Sequence, residues 1–410
     1  MTERLVVIGN GMASLRFLER LTERASGRFD VTCVGAEPVA AYNRVLLSSL
    51  LGGEVDEAAC TFRGLDWYAA HGITLVTGAP VTVVDPGARI VQVGEGLVLP
   101  FERLVLAVGS VPIRLPKPGM DLPGVITFRD LADVAAIRKA AVAGARAVVI
   151  GGGLLGLEAA VGLRRLGVDT TLLHVMDRLM ERQLDHAAAG LVRDAMEARG
   201  VRVRLRADTE AVEGEGRVER LRLTDGTVLP ADLVVMSVGV RPSTALAAAA
   251  GLEVGRGIRV DDRLETSVPG IHALGECAEH RGVTYGLVEP AYEQAEILAR
   301  HLCGEDAAYA GTTLSTSLKV SGLPVFSAGL VDVPEGAEAV TWSDPAAGLY
   351  RKLVIGDDRL VGAVFVGDVG EQGWCKTLIR TGDALAPGDR DDLMFGRAPP
   401  RPGAAHPLAA

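Results

Sequence analysis

Short apolar runs, glycine-rich turns and stretches of helical periodicity alternate along the chain. Near the start, residues 5–8 read as a strand, 14–24 as a helix and 29–34 as a second strand. Residues 72–106 carry β-rich runs at 73–76, 81–84, 89–93 and 104–108, broken by Gly, Pro and Asp. The strand–helix rhythm returns at 147–150, and a helical stretch spans about 290–303. Beyond it the pattern is β-rich again, at 314–320, 325–330, 350–355 and 360–366, with short helices expected at 374–381 and 391–394. Residues 116–124 read as an interdomain linker, 245–250 as an ordinary buried helix, and 397–410, rich in Pro and Ala, as a disordered tail.

Two of the breaks are glycine turns of one kind. Gly9-Asn10-Gly11-Met12-Ala13-Ser14 follows the first strand, and Gly151-Gly152-Gly153-Leu154-Leu155-Gly156 follows the run at 147–150. Each opens a helical pattern. Glycines there give a tight turn and let backbone N–H groups approach a pyrophosphate at a helix N-terminus. One such turn is a weak signal. Two, each in a strand–turn–helix setting, point to two dinucleotides in one chain, most simply FAD plus NAD(P)H, and so to a flavoprotein that moves electrons. Glu37, just past the second strand, lies where an acid can accept hydrogen bonds from ribose hydroxyls.

A second repetition supports a duplicated domain. Ala107-Val108-Gly109-Ser110-Val111-Pro112 and Ser237-Val238-Gly239-Val240-Arg241-Pro242 each follow an apolar strand, one after each dinucleotide unit. The expected fold is therefore α/β, with two Rossmann-like domains.

Bulk properties narrow the function. The formal net charge of −10 disfavours nonspecific nucleic-acid binding and does not suit an anionic membrane surface. No apolar run reaches the ~18 residues of a membrane-spanning helix. A first strand at about residue 5 leaves no room for a signal peptide, so a cytoplasmic enzyme is expected. Cys33, Cys60, Cys277, Cys303 and Cys375 lack the spacings of a disulfide framework, a zinc ribbon or common iron–sulfur sites. His71, His186, His280, His301 and His406 show no metal-ligand spacing, so no metal is expected. The Trp374-Cys375 pair reads as packing.

The order of motifs resembles the two-dinucleotide-binding FAD/NAD(P)H oxidoreductase family. The resemblance implies an NAD(P)H domain (116–242) inserted in an FAD domain (1–115 and 243–310), then a C-terminal α+β interface domain (311–396). It sharpens at Ala41-Tyr42-Asn43-Arg44-Val45-Leu46-Leu47-Ser48-Ser49, Leu179-Met180-Glu181-Arg182-Gln183-Leu184-Asp185, Leu274-Gly275-Glu276-Cys277-Ala278-Glu279-His280, Tyr285-Gly286-Leu287-Val288 and Ser317-Leu318-Lys319-Val320. These phrases are similar to the N-terminal flavoprotein part of NAD(P)H-dependent nitrite reductase large subunits. That similarity implies electron transfer to a protein acceptor, an assimilatory nitrate or nitrite reductase catalytic subunit. A rubredoxin or ferredoxin reductase is the nearest alternative; a redox-sensing scaffold that binds both dinucleotides without turnover is an alternative of another class, and an oxygen-consuming oxidase or monooxygenase is a further one.

The candidate cofactor-binding residues for FAD are Gly9, Gly11, Met12, Ala13, Ser14, Glu37, Arg44, Ser48, Ala107, Gly109, Gly275, Glu276 and Val288. For the nicotinamide they are Gly151, Gly153, Leu154, Leu155, Gly156, His174, Arg178 and Gly239. The resemblance implies positions near the flavin for Glu158 and Glu289, the candidate catalytic residues. The chain departs from the family at four places. Ser14 replaces the third glycine of the first turn, Val108 replaces the threonine of Ala-Thr-Gly, Glu276 replaces an aspartate, and His174 stands where an acid would favour NADH. With Arg178 nearby, NADH or NADPH both remain open. The disulfide reductases of the family need a thiol beside the flavin, and the matching region 42–51 has none. The ferredoxin reductase phrase Tyr-x-Arg-Pro-x-Leu-Ser-Lys is also unmatched, for Val45 and Ser49 stand in place of Pro and Lys. The C-terminal domain is expected to present a surface to the acceptor or to a second copy in a homodimer; no nucleic acid and no membrane partner is expected.

Overall fold

The structure is a computed structural model that describes residues 2–25, 27–320 and 322–396; the tail expected at 397–410 lies outside the described residues. Two compact units partition it. One takes the residues up to Leu50, Glu54–Ile113 and Val240–Thr312; the other takes Leu51–Gly53, Arg114–Gly239 and the residues from Thr313.

The first unit is built on a parallel five-stranded sheet in the order Ile271–Ala273, Arg103–Leu106, Glu3–Ile8, Phe29–Val34, Ile73–Val76. Successive side chains of a strand point to opposite faces. Leu5 and Val7 accordingly join the core beneath the helix Met12–Arg24 and the helix Val288–Leu302, with Leu15, Leu18, Leu21 and Leu298. Val6 and Ile8 face the other way, toward Val84, Val91 and Phe101 around a three-stranded antiparallel sheet. Both faces are covered, which is why the central strand is an unbroken apolar run from Leu5 to Ile8.

The second unit repeats this plan. Its parallel sheet runs Arg202–Arg204, Asp169–Leu173, Arg146–Ile150, Leu233–Met236, Val125–Thr127. Four strands of each sheet follow one order, but the edge strand beyond them comes last along the chain in the first sheet (Ile271–Ala273) and first in the second (Val125–Thr127); each unit adds a three-stranded antiparallel sheet. The unit also holds a five-stranded antiparallel sheet, ordered Ser315–Val320, Leu323–Gly329, Arg359–Val366, Leu349–Gly356, Glu338–Asp344. Cys375 and Leu378 of the helix Gln372–Thr381 pack on it with Phe326 and Phe365. Asp185 ties this sheet to the rest of the unit. It caps the helix His186–Ala198 through Ala188 N–H (3.0 Å) and accepts from Tyr350 Oη (2.6 Å) and Lys352 Nζ (3.1 Å).

Three sequence expectations change. Residues 116–124 are packed rather than a linker: Met120 is buried in the core of the second unit, and the Val212 amide donates to Pro118 O at 2.9 Å. The expected buried helix is a short one, Ala245–Ala249, with Ala247 its buried residue; alanines present too little surface to draw a helix inward. The strands Leu97–Pro100 and Glu338–Asp344 appear where no strand is read from sequence. The two repeated Val-Gly phrases have a structural meaning as well: Ser110–Pro112 and Val240–Pro242 pair antiparallel with each other.

Candidate functional site

Each unit presents one glycine turn at the carboxyl end of its central strand, and the two are built alike. Gly9 has φ +105°, and a Cβ there would lie 2.2 Å from the carbonyl oxygen of Ala107. Gly151 has φ +123°, and a Cβ there would lie 2.0 Å from the carbonyl oxygen of Ser237. Left-handed backbone and near-contact together demand glycine. The next glycines, Gly11 and Gly153, are the N-caps of Met12–Arg24 and Leu154–Arg165, and neither helix receives a side-chain cap. A Cβ on either would meet nothing within 4 Å. Both helix starts therefore open onto free space with their N–H groups uncovered by any capping side chain. That is the cradle a pyrophosphate needs, and both turns fit a dinucleotide.

Around the first turn the elements converge. Ser14 is buried, and its hydroxyl donates to Gly11 O, which is how a residue larger than glycine fits there. Gly275 (φ +80°) lies against Ala13, 3.0 Å from its Cβ by the same construction, and its amide donates to the buried Gln294 Oε1 at 2.7 Å. Glu276 accepts from Ser110 Oγ at 2.6 Å, just after Gly109, so it stands beside the Ala107-Val108-Gly109 phrase. At the end of the second strand Glu37 accepts from Tyr42 Oη at 2.8 Å and pairs with Arg44, whose guanidinium also lies 4.8 Å over the Tyr42 ring. Ser48 is half-buried in the helix Leu47–Leu51. Val288 and Glu289 form the first turn of Val288–Leu302, the former half-buried, the latter exposed.

Around the second turn, Leu154, Leu155 and Glu158 are half-buried on their helix, Gly156 is buried, and Gly239 (φ +108°) follows the strand Leu233–Met236. His174 is buried against Gly152. Arg178 is turned to its own loop: its guanidinium donates to Leu184 O (3.0 Å) and Glu181 O (3.2 Å) and lies 3.5 Å from Asp177.

The sequence reading overlooked some of this polar framework. Tyr68 Oη donates to Asn10 Oδ1 at 2.9 Å, and Asn10 belongs to the first turn itself. Gln294 and Ser110 also act here, with no local signal to mark them. Glu181 sits inside a phrase that carried the resemblance, and that was its signal.

The cysteines are mostly buried thiols. All five are unbonded, and four are buried. Burial pushes Cys33 up to about 12 and Cys277 up to about 11, and raises Cys60, Cys303 and Cys375. Among the described residues, no group of three or more His, Cys, Asp or Glu could hold a metal, and no helix is long and apolar enough to cross a membrane.

Comparison with known proteins agrees with this geometry. Residues 3–295 match the pyridine nucleotide-disulphide oxidoreductase family, and 315–383 match the rubredoxin NAD+ reductase C-terminal domain. The chain is 47% identical over 370 residues to a nitrite reductase [NAD(P)H] of Bacillus subtilis, covering 90% of this chain and 46% of that one. It is 43% identical over 367 residues to the assimilatory nitrate reductase electron transfer subunit of the same organism, covering 89% and 48%. The chain thus spans about half the length of these relatives. Its fold is similar to that in a covalent putidaredoxin reductase–putidaredoxin complex, with a TM-score of 0.85 at 29% identity, covering 94% of this chain and 95% of that one. With both glycine turns inside the matched span, the chain belongs to the pyridine nucleotide-disulphide oxidoreductase family, whose members are FAD- and NAD(P)H-binding oxidoreductases.

Proposed function

We propose that this chain takes electrons from NAD(P)H through FAD and delivers them to a protein acceptor, an assimilatory nitrate or nitrite reductase. The observation that carries the reading is the pair of open, glycine-capped helix starts, one in each unit. The similarity to two Bacillus subtilis proteins of nitrate and nitrite reduction supports the choice of acceptor.

In this reading residues 1–115 and 243–310 form the FAD domain, 116–242 the NAD(P)H domain and 311–396 an interface domain that meets the acceptor or a second copy. The amides after Gly9 and Gly11 hold the FAD pyrophosphate. Glu37 would accept from ribose hydroxyls, Arg44, paired with Glu37, would lend positive charge nearby, and Glu276, held by Ser110, would be a further polar group toward the cofactor. The turn from Gly151 to Gly156 holds the nicotinamide dinucleotide. When bound, FAD accepts a hydride from the nicotinamide and releases electrons singly. On the family resemblance alone, Glu158 and Glu289 are the charged groups assigned to tuning that exchange. The buried cysteines, held protonated by burial, take no part.

A second reading, a rubredoxin or ferredoxin reductase, is favoured by the match of residues 315–383 to the rubredoxin reductase C-terminal domain. Steady-state NADH and NADPH oxidation, with nitrate reductase, nitrite reductase, ferredoxin or rubredoxin as sole acceptor, separates the two. Turnover with the first pair alone supports the proposal; turnover with the second pair alone replaces it.

A further inference from the structure

We propose that Glu181 is the residue that reads the adenosine ribose of the nicotinamide dinucleotide and selects the form without a 2′-phosphate. The inference rests on the reading of residues 151–156 as the nicotinamide turn.

The two units show where the acid should stand. Leu173 pairs with Ile150 as Val34 pairs with Ile8, so His174 and Gly35 are the same step of the two sheets. In the first unit a Cβ on Gly35 would come 3.0 Å from Asn10 Cβ. In the second the sizes are exchanged: Gly152 is the small partner, and a Cβ on it would lie 2.5 Å from the His174 ring. The first unit then supplies Glu37 two residues on, whereas the second has Met176 at that step. Its own strand end gives no carboxylate for ribose hydroxyls.

The following loop restores one. Gly152 N–H donates to His174 Nδ1 at 3.1 Å, so that nitrogen carries the lone pair and Nε2 carries the hydrogen. Nε2 then donates to Glu181 Oε2 at 3.0 Å. Meanwhile Met180 N–H donates to Gly152 O at 3.0 Å, so both backbone groups of Gly152 hold this loop. Met180 is buried and has φ +51°, a left-handed conformation that is strained for a non-glycine residue and that gathers at binding sites. The loop is thus bent back onto the glycine turn, and the carboxylate next to the bend keeps 27% of its side-chain surface open. Arg178, the cation that could have favoured a 2′-phosphate, is committed to the carbonyls of Leu184 and Glu181. Asp177, another carboxylate of the loop, faces Arg178, His186 and Arg206 at 3.5–3.9 Å, and Asp185 is committed to its helix cap, Tyr350 and Lys352. His174 is a positioning residue, and Glu181 is the reader. A carboxylate there accepts from the 2′-hydroxyl and repels a 2′-phosphate.

The test is calorimetric titration of NAD+ and NADP+ into the oxidised, FAD-loaded protein, for wild type, E181Q, H174A and, as a charge control on the same loop, D177N. Flavin content and thermal transition report folding. The expected result is NAD+ bound about tenfold or more tighter than NADP+ by wild type and D177N. E181Q loses that ratio by weaker NAD+ and stronger NADP+ binding, and H174A reduces it. An unchanged ratio in E181Q, a loss in D177N equal to that in E181Q, or NADP+ bound as tightly as NAD+ by wild type overturns the assignment while leaving the nicotinamide turn intact. No binding of either nucleotide overturns both the assignment and the reading beneath it.

Discussion

The hydroxyl of Ser14 donates to the carbonyl of Gly11 at 2.9 Å, whereas at the same step of the second turn a Cβ on Gly156 would stand 1.9 Å from the carbonyl oxygen of Gly151. One fingerprint therefore admits a side chain and the other does not. Gly156→Ala must push its helix off the turn, at a cost of about 1–3 kcal/mol and with a large loss of nicotinamide dinucleotide binding. Ser14→Ala removes one hydrogen bond while Gly11 O still accepts from Leu15 N–H, at about 0.5–1 kcal/mol with FAD retained. Urea unfolding and flavin content of the two variants check the contrast.

His272 makes stability depend on acid. Its side chain is fully buried, neither ring nitrogen has a hydrogen-bond partner among the described residues, and burial lowers it from 6.5 to about 4. The folded chain keeps it neutral while the unfolded chain takes up a proton below about 6.5. Its contribution is fully present above pH 6.5 and is lost as pH falls toward 4, with a ceiling of about 3 kcal/mol. Between pH 7 and 4.5 the wild-type melting temperature is expected to fall more steeply than that of His272→Phe; parallel profiles would contradict this.

The thiols should be spectators. Burial leads the causes that raise every cysteine, so native protein at pH 7 is expected to react with iodoacetamide slowly, at half-buried Cys303 first. Cys33→Ser and Cys277→Ser should leave the rate of flavin reduction by NAD(P)H within about twofold, the scale of a residue outside the chemistry. A loss of a hundredfold would restore a thiol to the mechanism.

The parts of this fold legible in sequence are those where sterics allow one residue type. Gly9 and Gly151 announce themselves because backbone lies about 2 Å from where a Cβ would be. Phe29–Val34 and Ile73–Val76 are read with their observed ends because both faces of that sheet are covered. Leu97–Pro100 and Glu338–Asp344 escape notice because they are edge strands with mostly exposed side chains, so no periodic burial marks them. The phrase around Glu181 marks the residue but not its position beside the glycine turn, for another reason. Its place depends on Met180 adopting φ +51° and on a hydrogen bond from a loop to a glycine 28 positions earlier in sequence, neither of which local composition encodes.

In the proposed function, one chain holds a flavin that NAD(P)H reduces. The most direct test is anaerobic mixing of the purified, FAD-loaded protein with NADH and, separately, NADPH, following the flavin band near ~450 nm. The expected result is rapid bleaching, faster with NADH, at a rate that Gly156→Ala slows severely. A flavin that neither nucleotide bleaches would contradict it and leave a chain that binds dinucleotides without turnover.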